Sequence, residues 1–205
     1  KDNDTYKNQT GRLARFHAWD ERVSSHLVLP ESATVVRRFA MLLGHSCDSW
    51  FWLVGLLLLW LLSKPPLKSW AFFWALGLAL LAAAVLALKF LIRRPRPAGG
   101  WGQIYRVTDP HSFPSGHAAR AAAIALLSAQ FGLPWLVALL VLWALLVGLS
   151  RVALKVHYFS DVLFGWLIGV LSVLLAIALI PWLWQVFPSL LAFFTRNNKN
   201  AGAQP

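Results

Sequence analysis

Residues 150–161 read Ser150-Arg151-Val152-Ala153-Leu154-Lys155-Val156-His157-Tyr158-Phe159-Ser160-Asp161, a short polar stretch between two apolar runs, 134–150 and 160–184. The histidine and the carboxylate are four residues apart. That is a little over one helical turn, so a helix from His157 onward sets Asp161 beside His157 on one face. A carboxylate in that place can hold one imidazole nitrogen as N–H and leave the other free as a nucleophile or base. Alone, the pair also fits a plain polar turn at a membrane surface. The sequence on either side decides between the two.

Apolar runs dominate the whole chain. Of its 205 residues 58% are hydrophobic and only 13% charged, and the mean hydropathy is +0.58. A soluble domain of this size cannot hide that much apolar surface, so the solvent must be lipid. Many of the 12 tryptophans, Trp50, Trp52, Trp60, Trp70, Trp135, Trp182 and Trp184 among them, stand near the ends of apolar runs, where indole is favoured at the membrane–water boundary. Upstream of 134–150 and 160–184 lie runs at 50–62, 69–92 and 114–133. The first, with its flanking serines, is near the lower limit for a crossing. The second, at about 1.5 Å per residue, is roughly 36 Å long, enough to span with some tilt. The expected fold is an all-α integral membrane protein with about five transmembrane helices in a bundle. Before them, residues 11–29 alternate Leu13, Phe16, Val23 and Leu27 with Arg12, Arg15, Asp20, Glu21 and Arg22 at helical spacing, which reads as an amphipathic interfacial helix. Pro30 ends it, and a second short helix is expected over 32–43 with Ser32 as N-cap. The chain thus divides into a flexible tail, 1–10; amphipathic helices, 11–46; a transmembrane catalytic bundle, 47–185; and a tail, 186–205. Cys47, the lone cysteine, cannot form an intrachain disulfide.

Five spans bring Lys89, Arg96, His117, Arg151, His157 and Asp161 to one membrane edge. Cations near the hydrocarbon boundary are paired, snorkelling or functional. Here they converge with only one obvious carboxylate, Asp161, and a surplus of positive charge calls for an anion. The formal charge of +11 gathers at membrane flanks rather than along one soluble face, which favours the bilayer's anionic headgroups or a phosphorylated substrate over nucleic acid. Pro114-Ser115-Gly116-His117 opens an apolar run. A helix start turns unpaired N–H groups and its positive dipole end outward, Gly116 permits close approach, Ser115 adds a hydroxyl, and His117 can protonate a leaving oxygen. A metal held by His111, His117, His157, Asp109 and Asp161 is the rival reading, costly among Lys89, Arg96 and Arg151 unless phosphate accompanies it.

Lys89, six residues, Arg96-Pro97; Pro114-Ser115-Gly116-His117; and Ser150-Arg151, five residues, His157, three residues, Asp161 together resemble the three-part signature of the type 2 phosphatidic acid phosphatase and vanadium haloperoxidase superfamily. The resemblance spans 89–161, and the surrounding runs look like the membrane core of its bacterial lipid phosphatase branch. It implies a metal-independent phosphatase without cofactor. His157 would take the phosphoryl group as phosphohistidine, Asp161 would orient and charge-balance it, and His117 would act as acid and then base. Lys89, Arg96, Arg151, Ser115 and the Gly116 N–H would hold the phosphate oxygens. The implied substrate is a lipid phosphate monoester or diphosphate of the phosphatidylglycerophosphate, phosphatidate or polyprenyl diphosphate class, in a multi-pass bacterial cell-membrane protein. The alternatives are a prenyl-sugar or sugar phosphate, or a non-catalytic phospholipid-binding or transport protein. Positive-inside counting leans towards a cytoplasmic active site, but basic residues kept for substrate enter the same count, so the facing side stays open, as does the oligomeric state. The 93–113 connection reads either as a lid or as a floppy link.

Overall fold

The computed structural model describes residues 11–98 and 109–195. Helix α1 is Arg12–His26, α2 Thr34–His45, α3 Ser49–Leu62, α4 Leu67–Ile92, α5 Gly116–Leu127, α6 Pro134–Ala153, α7 Phe159–Val186 and α8 Pro188–Thr195. The expected tail 1–10 and the middle of the 93–113 connection lie outside the described residues.

The protein is an all-α membrane protein, with fewer full spans than its apolar runs suggest. Among the described residues α4, α6 and α7 are long and apolar enough to cross a bilayer, and α2 with α3, bent by 45° at their junction, supply a fourth if taken as one span. The run 114–133 divides into the 12-residue α5 and a 3-10 turn, Ser128–Phe131, closed by Gly132 at φ 66°. It is too short to count as a crossing by itself. Its composition gives the reason for its place: Ala118, Ala119, Ala121, Ala122, Ala123 and Ala125 are all buried, because alanine sustains a helix without adding bulk that would hold neighbours away.

Helix α7 completes that close packing. A Cβ on Gly165 would stand 2.6 Å from the Ser115 carbonyl oxygen, and one on Gly169 would come closer still to that of Ala119. Only glycine admits this backbone approach. The outer faces of the long helices carry Leu80, Leu139, Leu142, Leu167, Leu171 and Leu175, all exposed, as lipid-facing surfaces require. At the end remote from Lys89, Trp60 Nε1 donates to the Phe194 carbonyl at 2.7 Å and Trp74 Nε1 to Gln130 Oε1 at 3.3 Å, fastening α8 and the 3-10 turn to the bundle.

Three local stops position the polar residues. Arg93 takes the left-handed conformation, φ 52°, and donates its N–H to the Lys89 carbonyl. Arg94-Pro95 then cannot continue a helix. Backbone pairing of Pro95 with His111, and Ser112 N–H to the Arg94 carbonyl at 2.8 Å, staple the two ends of the 93–113 connection. After α6, Lys155 at φ 57° folds the chain so that the Val156 and His157 N–H groups both reach the Arg151 carbonyl, which returns His157 to the side of Arg151.

Candidate active site

The expected helix start at His157 falls two residues later: Tyr158 is the N-cap and α7 begins at Phe159. Asp161 is therefore the third helical residue, and its Oδ2 reaches back to accept the Tyr158 N–H at 2.9 Å, one half of a capping box. The same Oδ2 lies 3.6 Å from His157 Nδ1. A helix cap, and not two helical side chains one turn apart, thus sets Asp161 beside His157, at a separation longer than a hydrogen bond. His157 Nε2 points the other way, 3.4 Å from an Arg96 guanidinium nitrogen.

A cavity of about 350 Å³ gathers the sequence-derived residues. Lys89, Arg96, Gly116, His117, Arg151 and His157 line it. Asp161 stands behind His157 as its partner. Ser115 is fully buried, with its oxygen accepting the Ala118 N–H at 3.5 Å as the α5 cap and its own N–H on the Asp161 carbonyl at 2.9 Å. Leu78, Leu81, Ala82, Val85 and Leu86 of α4 also line the cavity. A cationic end and an apolar flank share one space.

Charge is more nearly balanced here than the sequence suggested, and the single obvious carboxylate becomes several. Asp109 receives Lys89 Nζ at 2.8 Å and an Arg96 guanidinium nitrogen at 2.8 Å on one oxygen; Lys89 also donates to the His111 carbonyl at 2.7 Å. Asp48, at the α2–α3 junction, meets His117 Nε2 at 2.9 Å and His45 Nδ1 at 2.9 Å. Arg94 forks between Asp161 at 2.7 Å and Asp20 of α1 at 2.6 Å. Gly44 makes room for Arg151, whose guanidinium would lie 2.9 Å from a Cβ there. Among the described residues no three His, Cys, Asp or Glu side chains cluster as metal ligands.

Burial lowers the His157 pKa well below 6.5, and the nearby Arg96, Lys89, Arg151 and His117 lower it further. At neutral pH the ring is uncharged, with a lone pair on one nitrogen. Asp161 faces Nδ1, so a proton there leaves Nε2 as the lone-pair nitrogen turned towards the cavity. The arrangement can stabilise an anion's charge, present a nucleophile to it and, through His117, exchange a proton with it.

Asp20, Asp48 and Arg94 were not assigned to the site from sequence, and Asp109 entered only in the rival metal reading. Asp20 has the only local hint. It shares a helical face with Ser24, four residues on, in a helix otherwise read as interfacial, and both are buried.

Comparison with known proteins matches residues 70–185 to the model of the PAP2 superfamily. Lipid A 1-phosphatase of Porphyromonas gingivalis is 38% identical over 100 residues, 47% of this chain but only 21% of that protein. Crystal structures of Aquifex aeolicus LpxE (TM-score 0.59, 26% identity, 70% of this chain and 86% of that one) and of the first transmembrane PAP2 type phosphatidylglycerolphosphate phosphatase from Bacillus subtilis (TM-score 0.64, 24% identity, 80% and 85%) share the fold.

Proposed function

We propose that the chain, which belongs to the PAP2 superfamily by the match over residues 70–185, is a membrane phosphatase that removes phosphate from a lipid monoester or diphosphate through a phosphohistidine at His157. The observation that carries this is the shared cavity, in which Lys89, Arg96, Arg151, His117 and His157 meet the apolar α4 wall of Leu78, Leu81, Val85 and Leu86. A phosphorylated headgroup fits the first set while the acyl or prenyl chain follows the second. Relatives named as a lipid A 1-phosphatase and as a transmembrane phosphatidylglycerolphosphate phosphatase support a lipid substrate at a membrane.

In this reading the Nε2 lone pair of neutral His157 attacks phosphorus. The P–N bond forms as the P–O bond to the lipid breaks. Burial and then Arg151 lower the His117 pKa to about 3, so the proton that His117 gives to the departing oxygen is one it takes from the bound phosphate monoanion. Lys89, Arg96 and Arg151 balance charge on the three equatorial oxygens, where the transition state spreads it. The phosphorylated imidazole, protonated on Nδ1, is cationic and faces the Asp161 carboxylate. His117, now neutral, takes a proton from water as its oxygen attacks phosphorus; the P–N bond breaks and inorganic phosphate leaves. Asp109 holds Lys89 and Arg96, so the incoming phosphate displaces it from them.

The test is phosphate release by purified protein from a panel of lipid phosphates, with chelator present. Release that continues in chelator and is abolished in His157→Ala supports the reading. No release from any member, or undiminished release by His157→Ala, defeats it.

A further inference from the structure

We propose that the amino-terminal helix α1 belongs to the working site: Asp20, by offsetting the charge of Arg94, is a positioning residue that keeps the Arg94–Asp161 pair net negative towards His157. This rests on the reading of His157 as nucleophile. It extends beyond the family match, which begins at residue 70, and beyond the bundle 47–185.

An interfacial helix has no need of a carboxylate in its own interior face, yet Asp20 is 0% exposed. Burial of such a charge is tolerated only with partners on its oxygens. Oδ1 accepts the Ser160 N–H at 2.9 Å, and Oδ2 accepts the Ser160 hydroxyl at 2.5 Å and Arg94 at 2.6 Å. One turn on, Ser24 Oγ accepts the Phe159 N–H at 2.9 Å. Thus two of the first N–H groups of α7 are capped from another helix, and the N–H of its N-cap, Tyr158, by Asp161 itself. The turn that carries Asp161 takes its place from α1.

Arg94 makes the link electrostatic as well as steric. It is buried, one nitrogen on Asp20, the other donating to Asp161 Oδ1 at 2.7 Å and Ser160 Oγ at 2.7 Å, with its plane 4.1 Å from the Tyr158 ring centre. A lone arginine on Asp161 would cancel the carboxylate's charge. Asp20 on the guanidinium's other nitrogen leaves the trio with one net negative charge, 3.6 Å from His157 Nδ1. Arg96, Lys89 and Arg151, with His117 beside them, oppose a positive imidazole, and Asp109 offsets Lys89 and Arg96 in part. The trio is the counterweight when phosphoryl transfer makes the ring cationic. Around Asp20 itself stand Arg94, His17, Tyr158 and Asp161.

The experiment compares wild-type full chain in detergent with Asp20→Asn, Asp20→Glu, Asp161→Asn and His157→Ala, each measured for kcat, KM, the pH profile and thermal unfolding. Asp20→Asn keeps shape and removes charge. Expected are a kcat about 10- to 100-fold lower with KM within about 3-fold, an acidic limb of kcat/KM moved to lower pH, substantial recovery in Asp20→Glu, and little further loss when Asp20→Asn is added to Asp161→Asn. Should Asp20→Asn prove unstable, Asp20→Ser, which also removes the charge, takes its place: a limb moved to lower pH supports the proposal, and a limb at the wild-type position opposes it. Wild-type kcat and pH profile in Asp20→Asn overturn the proposal. So does an equal loss of activity in the wild-type and Asp161→Asn backgrounds with no movement of the limb. Undiminished activity in His157→Ala would instead show that the nucleophile reading had failed.

Discussion

Gly165→Ala tests whether helix packing sets the geometry of the site. Gly165 lies one turn after Asp161 on α7, and its added Cβ would sit 2.6 Å from the Ser115 carbonyl oxygen, 3.0 Å from Ala118 Cβ and 3.3 Å from the Ala119 N. Ordinary contact begins near 3.4 Å, so the start of α5 must retreat from α7 by about 0.8 Å, the difference between those two distances. Two of these neighbours are backbone atoms that no rotamer change can move. Overpacking of this kind costs about 1–3 kcal/mol of stability. The displaced segment includes Gly116 and His117, and a misplacement approaching 1 Å costs on the order of 100-fold in rate. The same change at Gly77 of α4 meets nothing within 4 Å and gains helix propensity, about 0.5–1 kcal/mol. Thermal unfolding in detergent and lipid phosphate hydrolysis are measured for both variants. The reasoning expects Gly165→Ala to melt lower and lose about 100-fold in kcat while Gly77→Ala melts no lower than wild type and keeps its rate. Two variants alike in both measurements would refute it.

Asp109→Asn frees Lys89 and Arg96 for phosphate. At about 5 Å and an effective dielectric constant of about 20, a carboxylate repels each unit of phosphate charge by about 3 kcal/mol, a figure reduced by half or more because the Asp109 side chain is 39% exposed and water screens it. Inhibition by inorganic phosphate should tighten about tenfold; weaker inhibition would show that Asp109 serves to hold the two cations in place. The lowered His157 pKa has two consequences. Neutral imidazole persists in the folded protein below pH 6.5, so the acidic limb that it sets in kcat/KM lies below that value, as a pH profile will show. The unfolded chain binds the proton first, so stability rises with pH through this window and is lost as pH falls below about 6.5, which melting at stepped pH measures. Arg93→Gly relieves a left-handed cap at φ 52° and should leave activity intact with a melting temperature equal to or above wild type.

The site was legible in sequence to the extent that its residues are tied to short motifs. Lys89, Arg96, Gly116, His117, Arg151 and His157 come to one cavity because each stands at a helix end or in the link beyond it, and apolar runs fix which ends share an edge. Their counter-ions were hidden. Asp20 meets Arg94 across 74 positions and Asp48 meets His117 across 69, and no periodicity reports a contact at such separation. Asp20 also sits among Arg15, Glu21 and Arg22, so its helix scans as a solvated face although this one carboxylate turns inward. The place of 114–133 in the bundle was hidden for a related reason. Alanine-rich sequence is apolar enough for lipid, and only the glycines of α7 reveal that it is wrapped by other helices. The 45° bend between α2 and α3 likewise joins what composition separates into a charged helix and an apolar one.

Chemical trapping at His157 bears most directly on the whole account. Protein is mixed with substrate labelled on the phosphoryl group, quenched in base within a turnover, digested and read by mass spectrometry. The account predicts acid-labile phosphate on His157, more of it in His117→Ala, where water is no longer activated, and none in His157→Ala. Product formation in wild type without any phosphorylated His157, or the same label persisting in His157→Ala, would contradict it.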